Sequence, residues 1–197
     1  MSKTSTDPLL IELQQALSDC RELYSSAAQT CVDQHCLPQE KSSSEFAQLM
    51  DDLHKGVVVK TLMTVAAADE RWYRSEQMLA GVLFKHLWNR QLAPEEMEHA
   101  IRGISERAVH LSWYSLIRFF DAINPLRNRF SELNAIVIRL ANLFAKADGS
   151  VSSIEKSRLE AIQKEFDHLQ RIPLDEASEY DASSAFLTQA VSDTDSE

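Results

Sequence analysis

The chain has 197 residues, 44% of them hydrophobic, and a formal charge of −10 at neutral pH. That length and apolar content suit one domain with tails, and 4 Gly and 5 Pro are too few for a turn-rich all-β fold. Seven acids and no Lys or Arg lie between Ile172 and Glu197, so −10 less −7 leaves −3 for the body; such a balance argues against nucleic acid as a partner, since phosphate backbones require a net positive face.

Residues Met1 to Pro8 are short and polar, unlike a signal peptide. Cys20, Cys31 and Cys36 are an odd number in one region, which predicts reduced thiols and a cytoplasmic location. The longest apolar candidate, Gly56 to Ala68, is interrupted by Lys60 and is too short for a transmembrane segment.

In chain order, Asp7 and Pro8 form a helix start, a cap followed by a proline at the first helical position. Leu9, Leu10, Leu13, Ala16, Leu17 and Leu23 then recur at helical spacing, predicting a first helix to about Val32. Ser42 or Ser43 caps the next helix, whose stripe is Phe46, Leu49, Met50, Leu53 and Val57. From Val57 onward this helix is apolar on most sides, the mark of a central, buried element. A third helix carries Glu76, Met78, Leu79, Val82, Leu83, Phe84 and Leu87. Pro94-Glu95-Glu96 opens a fourth, with Met97, Ala100, Ile101, Ile104 and Ala108 on its apolar face. Ser112 caps a short aromatic helix that Asn124-Pro125 ends. Phe130 to Phe144 forms a second dense helix running to Asp148-Gly149, and the last helix holds Ile154, Leu159, Ile162 and Phe166.

Displacing the chain by 79 residues lays Val58-Val59-Lys60 on Val137-Ile138-Arg139, Val65-Ala66 on Phe144-Ala145, Ala68-Asp69 on Ala147-Asp148, and Glu76 on Glu155. Each block reads as a buried helix, an acidic turn, and an amphipathic helix with Glu in its first turn. This is a repeated supersecondary unit with the two dense helices at the centre. An apolar helix followed by Ala-Asp-Gly and then Glu, twice in one helical domain, resembles the TerB-like (tellurite-resistance) family over about Phe46 to Asp167. The resemblance implies an all-α bundle in stress-response proteins or larger assemblies. Its acidic turns, Asp69 with Glu76 and Asp148 with Glu155, would then hold a divalent metal. In the first copy Glu70 replaces the turn glycine and Trp72-Tyr73 fill the loop.

The residues themselves favour plainer roles. Aligned on an EF-hand loop, Phe144 and Lys146 fall on the first two ligand positions, and Val65 and Ala67 do so upstream; none supplies an anionic oxygen, so a conventional calcium loop is excluded. Ser152 and Glu155 form a capping box without any ion, and Gly149 suits a helix end. Cys31-Val32-Asp33-Gln34-His35-Cys36 lacks the paired spacing of a zinc site. Glu96-Met97-Glu98-His99 and Asp51-Asp52-Leu53-His54 resemble di-iron motifs but read as solvated faces, His99 falling off its helix's apolar stripe. His86 and Trp88 read as helix-end packing. The aromatics Trp72-Tyr73, Trp113-Tyr114 and Phe119-Phe120 exceed what one helix face buries and leave room for an exposed partner patch.

Together these observations predict an all-α protein of about seven helices, divided into an N-terminal helix and linker (1–41), a helical domain (42–170) and a disordered acidic tail (171–197). The functional expectation is a non-enzymatic interaction or scaffold module acting through other proteins in the cytoplasm. The alternative is a metal-binding stress protein using Asp69, Glu76, Asp148 and Glu155, with a divalent metal as the sole candidate cofactor.

Overall fold

In the computed structural model the described residues are 7–38, 41–66, 74–146 and 151–171, with backbone alone at 66 and 74–77. Among them are seven α-helices, a 3-10 helix and no strand. The α-helices are α1 (Pro8–Asp33), α2 (Ser43–Ala66), α3 (Arg74–Trp88), α4 (Pro94–Ala108), α5 (Trp113–Ala122), α6 (Phe130–Ala145) and α7 (Ser153–Leu169); the 3-10 helix (Asn124–Arg129) joins α5 to α6.

The starts follow the capping chemistry written in the sequence. The Asp7 carboxylate accepts from the Leu9 amide at 2.9 Å, with Pro8 in the first turn. Ser42 Oγ accepts from the Glu45 amide at 3.3 Å, and Glu45 accepts in return from the Ser42 amide at 2.8 Å. Ser112 caps α5 by accepting from the Ser115 amide at 3.0 Å. Each such cap supplies about 1 kcal/mol by satisfying an orphan amide.

The C-termini are finished differently, because glycine is scarce. α1 ends with His35 at φ 53° and α3 with Asn89 at φ 55°, left-handed positions that glycine ordinarily occupies. In each case the next amide folds back, Cys36 to the Cys31 carbonyl at 2.9 Å and Arg90 to the Phe84 carbonyl at 3.4 Å. Cations from elsewhere in the chain neutralise other ends. Lys60 Nζ donates to the Ala108 carbonyl closing α4 at 3.1 Å, and Arg158 donates to the Thr64 and Val65 carbonyls closing α2 at 3.1 and 3.3 Å. A positive charge at the negative end of a helix dipole adds to each hydrogen bond.

α1, α2 and α6 pack on one another at the centre. α1 contributes an unbroken buried face from Leu13 through Leu17, Cys20, Tyr24 and Ala27 to Cys31, so the first helix belongs to the core. The stripe predicted for α2 is buried in full, and Val58, Leu62 and Val65 behind it are buried too. α5 and α7 close one side through Phe166, whose ring meets Trp113 at 5.3 Å and Phe130 at 6.0 Å.

Three expectations change. Met78 and Ile154, counted among the apolar residues of their helices, are 52% and 51% exposed; each stands near the start of its helix. The aromatic surplus does not make a surface patch among the described residues: Trp113, Phe119 and Phe120 are buried, and Tyr114 packs partly buried against the core. Tyr24, Phe46, Phe84 and Phe130 complete an interior that several helices share, which is how it holds more rings than one face could. The Asp51–His54 stretch is not a solvated face, because Asp52 and His54 are buried. Trp72-Tyr73, the turn residues Asp69, Glu70, Asp148 and Gly149, and the tail from Ile172 lie outside the described residues.

Candidate functional site

Of the four residues predicted to hold metal, Asp69 and Asp148 lie outside the described residues, and Glu76 is placed in α3 by its backbone alone. Glu155 is partly exposed in the first turn of α7. Its Oε2 accepts from the Ser152 amide at 2.7 Å, while Ser152 Oγ accepts from the Glu155 amide at 3.2 Å. The reciprocal capping box is therefore formed, and it engages the one described carboxylate of the set. Among the described residues no cluster of three or more His, Cys, Asp or Glu is arranged to hold a metal ion. Cys20, Cys31 and Cys36 are free thiols, and His35 is exposed with Nδ1 3.1 Å from the Val32 carbonyl. Glu98 and His99 are exposed, as predicted.

The structure assembles a different site. A cleft of about 780 Å³ opens between the first half of α1, the middle of α2 and the last turn of α3. Gln14, Ser18 and Arg21 line it from α1, Lys55 from α2, and Val82, Lys85, His86, Leu87 and Trp88 from α3, with Asn89 at the rim. Arg21 donates to the His86 carbonyl, tying α1 to the end of α3. Lys55 is held between Asp51 at 2.5 Å and Asp52 at 3.5 Å, and Gln48 supports Asp52 at 3.2 Å. Lys85 is exposed. The cleft thus combines three cations and two amides with an apolar wall of Val82, Leu87 and the partly buried Trp88, which packs on Phe84 at 5.2 Å.

Behind this lining the buried His54 packs against the partly buried His86 of the cleft wall. His54 is 0% exposed, and neither ring nitrogen has a hydrogen-bond partner; its Nδ1 stands 3.8 Å from the Asp51 carboxylate, beyond hydrogen-bond reach. Its ring meets His86 edge-on at 5.9 Å, and His86 Nε2 is likewise buried without a partner. Burial above all, then the positive field of Arg21, pushes both imidazoles below the ordinary histidine range, His86 to about 4; both are neutral at physiological pH. The His54 imidazole, and then Lys55, hold the Asp51 carboxyl well below the usual carboxylate range. Asp51-Asp52-Leu53-His54 is therefore half inside the core. The all-round apolar character of α2 hid this, because period alone cannot say which side of such a helix a polar residue occupies.

No protein-family model, curated protein or solved structure matches the chain. Its chemistry must be read from the site. The cleft offers donors on one side and hydrocarbon on the other, with the His86 imidazole in its wall and that of His54 beneath. Such a surface is chemically complementary to an anionic group attached to an apolar one. Sequence reasoning passed over it because its three contributing segments lie far apart along the chain, and no single one carries a motif. Among the described residues no helix is long and apolar enough to cross a membrane.

Proposed function

We propose that this chain is a non-enzymatic helical interaction module that acts through protein–protein contacts, with the α1–α2–α3 cleft as its recognition surface. The observation that carries this is the convergence of Arg21 and the exposed Lys85, beside the carboxylate-paired Lys55, on an apolar wall in a protein of net charge −10. Cations gathered on one face of an acidic protein select an acidic partner and raise its rate of encounter. The partly exposed Trp88 and Val82 supply the apolar anchor point that a rim of charge lacks. The partner segment is then an acidic peptide stretch bearing a large apolar side chain.

The repeated unit around Asp69 and Asp148 and the all-α body support a TerB-like bundle as the scaffold that presents this cleft. A divalent-metal role for the acidic turns draws no support from Glu155, whose carboxylate caps α7. A photo-crosslinking amino acid placed at Gln14 in the full-length chain, compared with one at the exposed Glu160 on α7, tests the module in its own cell extract. Discrete protein adducts at Gln14 that disappear with Lys85→Glu support the proposal. Equal adduct patterns at both positions, or none at Gln14, contradict it.

A further inference from the structure

The end of α1 carries a second piece of chemistry, independent of the cleft. The left-handed residue His35 (φ 53°) turns the chain back so that the Cys36 amide donates to the Cys31 carbonyl at 2.9 Å, and the Gln34 amide donates to the Thr30 carbonyl at 3.0 Å. This turn stacks the residue after the left-handed position onto the last full turn of the helix. That single hydrogen bond bounds the separation of the two residues. With standard bond lengths on either side of it, Cα of Cys31 and Cα of Cys36 are no more than about 6.8 Å apart, within the span that disulfides bridge. Both are free thiols. Cys31 is fully buried, whereas Cys36 is half-buried and open to small solutes. Cys20 sits eleven residues earlier on α1, about 16 Å along the helix, and cannot compete for either.

We propose that Cys31 and Cys36 are a reversible oxidation site, at which a peroxide converts the pair to a disulfide that staples the end of α1 to the connection leading into α2. The peroxide first transfers one oxygen to the sulfur of Cys36. The O–O bond breaks, Cys36 becomes a sulfenic acid, and the remaining oxygen leaves as water. The sulfur of Cys31 then attacks the sulfur of Cys36. The S–OH bond breaks, the proton from Cys31 joins the departing hydroxide, and a second water is released. Two thiols and one peroxide thus give one disulfide and two waters. The division of labour follows from position. The half-buried Cys36 sulfur is open to peroxide and the fully buried Cys31 sulfur is not, so Cys36 is oxidised first and Cys31, held beside it by the turn, resolves it.

The test uses the full-length reduced chain. Hydrogen peroxide is added, remaining thiols are alkylated under denaturing conditions, and the tryptic peptide 22–41, which holds Cys31 and Cys36 without Cys20, is read by mass spectrometry without reductant. The expected product is that peptide short of two hydrogens and unalkylated, restored by dithiothreitol, with the oxidised protein melting at a higher temperature. Cys36→Ser abolishes the product and Cys20→Ala leaves it intact. Irreversible sulfinic acid at Cys36 with Cys31 still alkylated, a disulfide between two chains, or an unchanged peptide overturns the proposal.

Discussion

At the scale of single residues, His54 is the least satisfied group described. A buried imidazole with no hydrogen-bond partner costs about 1–3 kcal/mol relative to one that is paired. His54→Leu, which keeps the volume roughly and removes the polar atoms, is expected to leave stability unchanged or raise it. The pair also sets a pH dependence whose sign is fixed. Both imidazoles titrate lower in the fold than in the unfolded chain, so the unfolded chain binds more protons below its own pKa, about 6.5. Stability is flat above that value and falls as pH drops from about 6.5 towards about 4, the position of His86. His86 is only partly buried, so the loss is taken as about 1–3 kcal/mol across the window. Urea denaturation at stepped pH measures it, and a slope that is unchanged in a His54→Leu, His86→Leu double variant would assign the acid loss to other groups.

At the scale of elements, the chain meets a glycine shortage with two left-handed non-glycine caps and with cations borrowed across the fold. Arg158 is an instance: it holds α7 against the end of α2, and Arg158→Met is expected to destabilise by about 1.5–3 kcal/mol, because charged hydrogen bonds to terminal carbonyls are lost. Phe166 anchors the same helix from the apolar side. Phe166→Ala leaves a cavity between Trp113 and Phe130 and should cost about 3–5 kcal/mol. Equilibrium unfolding by circular dichroism distinguishes the two, and a smaller loss for Phe166→Ala than for Arg158→Met would mean that α7 is held chiefly by its polar contacts. Helix existence and starts were legible in the sequence because Asp7, Ser42, Ser112 and Ser152 are local signals read within three residues. Some helix ends were legible too, about Val32 against the observed Asp33 and Asn124-Pro125 against a helix ending at Ala122. How the ends are closed was not, since His35 and Asn89 carry no glycine-like mark and the closing cations come from Lys60 and Arg158, up to ninety-four residues away. The 3-10 segment that begins at Asn124 was also invisible: Asn124-Pro125 announces a break but not the conformation the chain takes there.

At the scale of the whole molecule, the sequence revealed an all-helical body with α2 and α6 inside it, because their apolar patterns are dense enough to require burial. It did not reveal that α1 completes that core. An amphipathic helix ahead of an apparent linker reads the same whether it docks or stands apart, and only the partner face of α2 and α6 decides. The cleft depends on that docking: without α1 there is no Gln14, Ser18 or Arg21 opposite α3. The cleft, and with it the proposed recognition surface, is thus one consequence of how three distant segments meet.

The cleft is tested most directly by titrating the isotope-labelled full-length chain with an acidic peptide carrying Phe and Leu, and following backbone amide shifts by NMR at low and high salt. The shifts are expected to concentrate at Gln14–Arg21 and Val82–Asn89, to weaken as salt screens the cations, and to vanish in a folded Gln14→Glu, Lys85→Glu variant, which leaves Arg21 on the end of α3. Shifts scattered over the surface, or confined to α7 and the far side of α6, would contradict a recognition surface between α1, α2 and α3.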